Sequence, residues 1–455
     1  MTATIVRGEW VLTMGPLGDL RDGGVLIRGG AIEAVDAYRA LRDAFPDAEV
    51  VGDGAGVVLP GLINAHTHLS EALVPGMGSE LTLFEWGRRI VTPVGDHLTR
   101  EMARVGTQLR AIEMLRSGVT TVNDMFVHGN RGSFASLGVV DGLRSVGLRG
   151  VVSFGAEDAI EGATPLTVGD VVDEHEALAG HVGADRRIGF RYGIGTLLGQ
   201  SDGLLARGVE LCVANGWAVH THLAEVREEN VMASLRWGRR TIEHAEAIGL
   251  LDVPVLAGHG IWLTEDDVDR LVRHGVAVSY NPVANMILGS GVCPVQRLRR
   301  AGIAVGVGTD GAASNDSQNM LEAVKVGVLL QKVAATDPAV MSARDALAMA
   351  TIEGARALGL DDRIGSLEPG KRADVVRLAG TVELATVHDP YQQVVFCAGP
   401  RSVRDAWVEG HRLLADGALV DLDEDGVIEA SRPLARELAE RAGLVEAGLS
   451  WLPTT

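Results

Sequence analysis

The sequence predicts an α/β protein: a (β/α)8 TIM barrel with a small β-sandwich domain formed by the N- and C-terminal segments. A chain of 455 residues is long enough for one barrel of about 250 residues with an appendage. From residue 61 to about residue 360, short β-branched runs alternate with longer helical patterns, which is typical of repeated βα units around a parallel sheet. The flanking segments contain Val- and Ile-rich runs without helices between them.

Eight runs in the central region have the composition of strands that are buried on both faces. They span residues 61–67, 118–126, 148–155, 187–194, 217–223, 253–260, 276–281 and 303–309. Amphipathic segments lie between these runs and are expected to form an outer ring of helices, for example at 100–116, 202–215, 264–273 and 294–301. Eight strands with intervening helices predict a closed barrel.

The two terminal segments are predicted to share one sheet. The N-terminal strands are expected at 3–14, 24–36 and 48–59, where Gly-Gly and Asp-Gly turns interrupt the apolar runs. The C-terminal strands are expected at 373–378, 394–398, 402–408 and 412–414, and a segment of good helix formers follows at 426–447. The predicted domains are residues 1–60 and 365–422 for the sandwich, 61–364 for the barrel and 423–455 for a C-terminal helical segment.

The composition indicates a folded protein and excludes several classes of partner. Apolar residues make up 46% and charged residues 22%, which is close to the usual globular mixture. Acidic residues outnumber basic ones by 60 to 41, the net charge is −19, and no Lys/Arg-rich run occurs, so neither nucleic acid nor a membrane is an expected partner. Three distant cysteines without a CxxC pair, and no secretory or membrane-length apolar segment, make the cytoplasm the expected location.

Potential metal ligands and acids cluster where four of the predicted strands end, and these ends share one rim of a barrel. They are His66 and His68 after strand one, His220, His222 and Glu225 after strand five, His259 after strand six, and Asp310 after strand eight. A single histidine in a strand is more often structural, and Asp310-Gly311 alone could be a turn. Four strand ends that all carry histidine or aspartate, however, favour a site for a divalent metal such as zinc or ferrous iron.

Roles follow from the chemistry of these side chains. The predicted metal ligands are His66, His68, His222 and Asp310, which leave a position for water and turn it into a hydroxide nucleophile near neutral pH. Glu225 is expected to carry protons between water, ring nitrogen and leaving group, the alternative being an acid at a helix N-terminus. His259 is expected to orient the water and support the developing negative charge, the alternative being a further ligand.

With these residues the sequence resembles the amidohydrolase superfamily, within it the aminohydrolases grouped with S-adenosylhomocysteine/methylthioadenosine deaminases and s-triazine hydrolases. The motifs that carry the resemblance are PGLINAHTH at 60–68, HLAE at 222–225, GTDGAASN at 308–315 and GSLEPGKRAD at 365–374. The similarity implies the same ligands and the same roles for Glu225 and His259. Binuclear relatives often use a carbamylated lysine, but all three lysines here follow Asp310, so one metal per chain is expected.

Two departures from the adenosine-acting relatives bear on the substrate. The glutamate that accepts ribose hydroxyls in those relatives falls at or near Gly95, with Asp96 as a possible replacement, and their Gly-Pro-His segment corresponds to a stretch containing Gly193. A site without partners for these hydroxyls loses affinity for nucleosides. Trp86 is a candidate for stacking on a flat ring, its alternative being a core position. His128 and Glu71 are weaker substrate-binding candidates, with surface placement as the alternative.

The sequence therefore predicts a metal-dependent hydrolytic deaminase of a purine, pterin, pyrimidine or triazine, with zinc as the expected metal and iron as the alternative. A second interpretation is hydrolysis of another C–N, C–Cl or ring amide bond on such a compound. A third is a deaminase of S-adenosylhomocysteine, methylthioadenosine or adenosine, and a remote one is a scaffold without catalysis. The expected partner is a small heterocyclic substrate, and a homo-oligomer is expected because the relatives commonly self-associate.

Overall fold

The computed structural model describes residues 3–78, 80–159 and 166–444. The strands are β1 (Thr4–Val11), β2 (Leu20–Arg28), β3 (Ala31–Ala37), β4 (Glu49–Val51), β5 (Val57–Pro60), β6 (Leu62–Thr67), β7 (Val119–Phe126), β8 (Arg149–Phe154), β9 (Ile188–Phe190), β10 (Tyr192–Thr196), β11 (Val219–Leu223), β12 (Val255–His259), β13 (Ala277–Tyr280), β14 (Val305–Val307), β15 (Val375–Leu378), β16 (Val403–Val408), β17 (His411–Ala415) and β18 (Ala418–Leu419).

The α-helices are α1 (Tyr38–Ala44), α2 (Leu83–Trp86), α3 (Thr92–Gly95), α4 (Arg100–Arg116), α5 (Leu137–Val146), α6 (Val168–Val182), α7 (Asp202–Asn215), α8 (Arg227–Trp237), α9 (Thr241–Ala247), α10 (Glu265–Arg273), α11 (Pro282–Ile287), α12 (Val295–Arg300), α13 (Met320–Ala335), α14 (Ala343–Met349), α15 (Ile352–Ala357), α16 (Pro390–Phe396) and α17 (Glu424–Arg441). A π-helical turn, Gly87–Val91, joins α2 to α3. No described helix is long and apolar enough to cross a membrane.

The central strands form two parallel sheets, β6-β7-β8-β9 and β10-β11-β12-β13-β14. The sheets meet at both edges: the amide of Arg191 donates to the carbonyl of Val152 (2.9 Å), and the amide of Asp310 donates to the carbonyl of His66 (2.9 Å). All eight predicted strand positions are thereby confirmed, the fourth being split into β9 and β10. Every residue of β6, β7 and β8 is buried, as expected for strands covered on both faces.

The two ends of the chain contribute to one nine-stranded mixed sheet, as predicted. The order is β18-β17-β16-β15-β5-β1-β2-β3, with β4 paired to β1. Strand β5 joins the two halves because it pairs in parallel with β1 and antiparallel with β15. The predicted domain limits at residues 60, 364 and 422 stay a prediction.

Two local predictions are wrong. Residues 394–398 were expected to form a strand, but they lie in α16 and just beyond it, because the Asp389 side chain caps the helix and Pro390 occupies its first turn. The N-terminal segment was expected to lack helices, but α1 lies between β3 and β4. The predicted C-terminal helix is present as α17 with Pro433 inside it, and residues 445–455 lie outside the described residues.

Candidate active site

The predicted site residues come together at the carboxyl ends of four parallel strands. His66 and His68 lie at the end of β6, His222 lies on β11, His259 ends β12 and Asp310 follows β14. One potential ligand atom each of His66, His68 and Asp310 lies within 4.8 Å of the others, and the same holds for His66, His222 and His259. The structure therefore contains a group of histidines and one aspartate that could hold a metal ion.

Two of these imidazoles direct unprotonated nitrogens at each other. The Nδ1–H of His68 donates to the carbonyl of Met125 (2.7 Å), and the Nδ1–H of His222 donates to the carbonyl of Gly195 (2.5 Å). Because these bonds fix the neutral tautomers, both Nε2 atoms carry lone pairs, and they face each other at 3.1 Å. A cation between the two nitrogens would relieve the repulsion between these lone pairs.

His66 supplies a third lone pair, and a chain of hydrogen bonds that was not predicted from the sequence fixes the tautomer of its ring. Its Nε2 is buried without a hydrogen-bond partner among the described residues, 3.4 Å from Oδ1 of Asp310. Its Nδ1 lies 2.8 Å from Nε2 of His220, whose Nδ1 lies 3.2 Å from the hydroxyl of Ser153. That hydroxyl donates to the carbonyl of Asp124. The chain orients His220 as the acceptor of the His66 proton, so Nε2 of His66 is free to bind a metal.

The electrostatics of the group also fit a divalent cation. Burial, reinforced by the neighbouring imidazoles, lowers the pKa of His68 to about 4 and the pKa of His222 well below its ordinary value. Burial alone would raise the pKa of Asp310, but the surrounding imidazoles hold the pKa of this carboxyl well below its usual range. Three imidazoles and one carboxylate are a donor set that zinc and ferrous iron accept.

Glu225 lies beside this group in a tightly constrained turn. Its Oε1 accepts a hydrogen bond from the hydroxyl of Ser290 (3.0 Å), and its Oε2 lies 3.4 Å from Nε2 of His259. The carboxylate of Glu229 accepts hydrogen bonds from the amides of Ala224 and Glu225 (both 2.8 Å) and holds Ala224 at φ +56°. Burial, with the charge of Asp310 as the next contribution, raises the pKa of Glu225 well above its ordinary value. Glu225 is thus suited to donate a proton near neutral pH.

His259 differs from the other three imidazoles in its hydrogen bonding. Its Nδ1 accepts from the amide nitrogen of Asn285 (2.8 Å), so the proton of the neutral ring is on Nε2. That Nε2 lies 3.8 Å from Oδ2 of Asp310, on the side of Glu225. Backbone in the left-handed region at His259 (φ +73°) and Asp310 (φ +66°) directs both side chains toward the group. Because Nε2 of His259 carries the proton, this atom is better suited to donate a hydrogen bond to the reacting atoms than to bind a metal.

Trp86 and Glu71 are both buried and hold the same residue of the loop that follows Asp310. The indole Nε1 of Trp86 donates to the carbonyl of Ala313 (2.9 Å), and Oε2 of Glu71 accepts from the amide of Ala313 (2.9 Å). Trp86 ends a helical turn and does not lie in an open loop, and Glu71 is not on the surface. Nε1 of Trp86 and Oε2 of Glu71 thus have partners within the protein, and the contact of either side chain with a substrate stays a prediction.

His128 is buried behind the site and is likewise not on the surface. Its Nε2 lies 2.7 Å from Oε1 of Glu174, and the Ser136 hydroxyl donates to the same oxygen. Burial alone would raise the pKa of Glu174, but His128 and Ser136 lower it. These contacts give His128 a structural partner, and its role in substrate binding stays a prediction.

The two glycines that depart from the nucleoside-acting pattern differ in the space around them, which is tight at Gly95 and absent at Gly193. A Cβ atom at Gly95 would lie 3.2 Å from Cα of His128, and one at Gly193 would lie 2.3 Å from the carbonyl oxygen of Phe154. Neighbouring Asp96 is half-buried, and its Oδ1 would lie 2.4 Å from a Cβ at Gly129. Burial raises the pKa of Asp96. The carboxyl group that follows Gly95 in the sequence therefore packs against Gly129, three residues beyond β7.

Comparison with known proteins gives one consistent family. The 5-methylthioadenosine/S-adenosylhomocysteine deaminase of Desulforudis audaxviator is 36% identical over 437 residues, covering 96% of this chain and 99% of the relative. The 5'-deoxyadenosine deaminase of Methanothermobacter thermautotrophicus is 36% identical, covering 94% and 99%. A crystal structure of an adenosine deaminase from Xanthomonas campestris with bound zinc is 28% identical, covers 97% of this chain and 99% of that chain, and has a TM-score of 0.88.

The similarity extends through the whole of the parallel sheets and most of the terminal sheet, which agrees with the fold class predicted from the sequence. The pattern of the Amidohydrolase family matches residues 57–413, a range that includes each of the proposed ligands, Glu225 and His259. On this match, and on relatives that align over nearly their full length, the chain belongs to the amidohydrolase family.

Proposed function

We propose that this protein is a metal-dependent hydrolytic deaminase that removes an amino group from a nitrogen heterocycle and releases ammonia. The observation that carries the proposal is the convergence of three imidazole lone pairs and one carboxylate beside a buried acid, Glu225. A metal centre alone would fit many hydrolases. An acid with a raised pKa adjacent to it favours an amine leaving group, which must be protonated to depart.

The proposed ligands are His66, His68, His222 and Asp310, and zinc is the expected metal, with iron as the alternative. The zinc in the related adenosine deaminase structure supports this choice. A divalent metal bound there would lower the pKa of a coordinated water toward about 7 and so supply a nucleophile at neutral pH.

The chain's own residues would manage the protons of the reaction. Water adds to the carbon that bears the amino group, and Glu225 delivers a proton to the adjacent ring nitrogen. Glu225 then passes one proton of the added water to the amino nitrogen, the bond from carbon to that nitrogen breaks, and the second water proton restores the acid of Glu225, so that a carbonyl and ammonia are formed. Ser290 fixes one oxygen of Glu225, and Nε2–H of His259 is placed to donate to the oxygen that gains negative charge.

A second candidate is deamination of adenosine-type compounds. The names of the two relatives favour it, and Asp96 offers a half-buried carboxylate near Gly95 that could accept ribose hydroxyls. Two glycines oppose it, because neither Gly95 nor Gly193 supplies a polar side chain for the ribose hydroxyls, and a Cβ atom at Gly193 would lie 2.3 Å from the carbonyl oxygen of Phe154. The partner in either case is a small heterocycle, and the expected homo-oligomer stays a prediction that light scattering would test.

An ammonia-release screen of the purified, metal-loaded protein tests the proposal. The panel contains pterins, guanine-type purines, cytosines, aminotriazines, adenosine, methylthioadenosine and S-adenosylhomocysteine. We expect ammonia from at least one of these compounds, and turnover confined to the last three would establish the second candidate instead. Release of chloride or thiol without ammonia, or no turnover at all, would refute a deaminase.

The matched variant for this screen is Glu225→Gln, which keeps the size of the side chain and removes the acid. We expect kcat to fall by about 10²- to 10⁴-fold, because a glutamine cannot transfer a proton. Among the described residues, Glu225 is the acid that contacts both Ser290 and His259. Metal content, measured by elemental analysis, should equal that of the wild type. Retention of most of the wild-type kcat would remove the proton-transfer role of Glu225.

A further inference from the structure

The carboxyl group of Glu157 fills a space that glycines leave open at the end of β10. A Cβ atom at Gly195 would lie 2.7 Å from Oε1 of Glu157 and 2.8 Å from its Cγ. A Cβ atom at Gly199 would lie 2.3 Å from Cδ of the same residue. Strand β10 and the loop after it thus offer no side chain at these two positions, and Glu157, three residues beyond β8, occupies the space with its carboxyl group.

Glu157 is held in this position by the loop that follows β10. The hydroxyl of Thr196 donates to Oε1 of Glu157 (2.8 Å) and accepts from the amide of Gly199 (2.9 Å). The next residue, Asp158, accepts from the amide of Ser201 (2.6 Å), which ties the two loops together. The Thr196 hydroxyl bonds to Oε1, so Oε2 is the oxygen that would accept from a ligand.

The same loop touches the metal-ligand group. The carbonyl of Gly195, whose Cα faces the Glu157 carboxyl, accepts the Nδ1–H of His222. Glu157 therefore lies one residue removed from a proposed ligand, at the carboxyl edge where the parallel strands present their functional side chains. Its side chain is only partly exposed, and burial raises its pKa to about 7. A desolvated carboxyl group at this edge forms strong hydrogen bonds with N–H donors.

We propose that Glu157 is a specificity-determining residue that accepts a hydrogen bond from a ring N–H of the heterocycle. This inference rests on the proposed deaminase function and narrows its substrate class. Heterocycles that carry an N–H beside the amine-bearing carbon, as guanine- and pterin-type rings do, would be favoured. Adenine-type rings present an acceptor nitrogen beside that carbon and would be disfavoured at a pH where Glu157 is ionised, because a carboxylate has no proton to donate to an acceptor.

The test compares a substrate that has this N–H with its N-methylated analogue, for example guanine with 1-methylguanine, in wild type and in Glu157→Gln. Glutamine keeps an oxygen for Thr196 but loses the carboxylate. We expect the wild type to prefer the N–H substrate by roughly 10- to 100-fold in kcat/KM, as for other hydrogen bonds to charged groups, and the variant to lose most of this preference through KM. Metal content should equal that of the wild type, and kcat/KM should fall less for the N-methylated compound than for the N–H substrate.

Two further variants separate recognition from loop structure. Gly195→Ala places a methyl group where the Glu157 carboxyl lies, so it should reduce the same preference. Asp158→Asn alters the adjacent carboxylate that contacts Ser201, so it should lower the melting temperature and leave the preference unchanged. An unchanged preference in Glu157→Gln, or an equal loss in Asp158→Asn, would overturn the inference. Turnover of adenosine-type compounds alone would overturn the inference about Glu157 but not the proposed deaminase activity. The absence of ammonia release from every heterocycle would overturn the proposed function itself.

Discussion

His220 is not among the residues whose ligand atoms could share a metal ion, yet it is in contact with one of the proposed ligands. Its Nε2 lies 2.8 Å from Nδ1 of His66, and Asn123 and Ser153 surround the other edge of its ring. A partner of this kind fixes the tautomer and the orientation of a metal-binding imidazole. The second histidine of the His-Thr-His sequence in β11 is thus proposed to bind the metal, and the first to position His66.

We expect His220→Phe to weaken metal binding by about 10- to 100-fold, because Nδ1 of His66 loses its acceptor in a buried site. Competition against a chromogenic chelator measures the affinity. His175→Phe is the control, because His175 is also a buried imidazole but contacts Val171 and Gly193 outside the ligand group. Equal affinities in wild type and His220→Phe would show that His220 does not position His66.

The raised pKa of Glu157 predicts a pH-dependent difference in stability between wild type and Glu157→Gln. Burial raises this pKa from 4.5 to about 7, so between these values the folded state binds more protons than the unfolded state. Wild type should therefore lose stability relative to the variant as pH rises through that window, with no further change above it. Melting temperatures measured across the window test this, and a constant difference would contradict the raised pKa.

The site residues that lie on strands or at their ends could be predicted from the sequence, because the alternation of side chains along a strand and the shared edge of parallel strands place them together. His66 and His68 are two residues apart and so share one side of β6, and the ends of parallel strands share one edge. His220, Asn285 and Glu157 were not assigned roles, because their importance comes from contacts between strands or loops that are far apart in sequence. The burial of Trp86 and Glu71 against Ala313 depends in the same way on long-range packing.

At the scale of elements, a long amphipathic pattern predicted the limits of a helix correctly, whereas one short apolar run was assigned to the wrong type of element. Helix α4 was predicted with the same limits, 100–116, because its seventeen residues keep an amphipathic pattern after the Thr99 cap. Residues 394–398 are a short apolar run, which cannot be distinguished from a buried strand by periodicity alone. Asp389 and Pro390 were the signal for a helix in that segment.

One buried ion pair connects the terminal sheet to the parallel strands. Arg149, at the start of β8, donates to both carboxylate oxygens of Asp374, which precedes β15, at 2.8 and 3.1 Å, and both side chains are 3% exposed. The amide of Glu409 donates to the same carboxylate. The pair therefore ties together segments from three separate parts of the chain.

Asp374→Asn leaves the Arg149 guanidinium buried without its counter-charge, so we expect a loss of about 3 to 5 kcal/mol in the free energy of unfolding. The midpoint of thermal unfolding reports this loss. Glu437→Gln is the control, because Glu437 pairs with Arg441 on an exposed helical surface, where a pair contributes less than about 1 kcal/mol. Similar midpoints for the two variants would contradict a structural role for the Arg149–Asp374 pair.

At the scale of the whole molecule, the two chain ends meet because β5 pairs with strands from both of them. The sequence predicted this arrangement from Val/Ile-rich runs at both ends, although it could not supply the strand order, which depends on long-range pairing. The net charge of −19 agrees with a neutral or amine-bearing heterocycle as substrate. The proposed deaminase activity, however, requires that the four proposed ligands bind a metal ion.

The most direct measurement is ammonia release, from a compound that the screen identifies, by chelator-stripped protein before and after addition of zinc or ferrous iron. The account predicts that stripping lowers the rate by roughly 100-fold or more and that about one metal per chain restores it. Asp310→Asn should bind the metal weakly and recover little of the rate. Undiminished ammonia release from protein that elemental analysis shows to be free of metal would contradict the central claim.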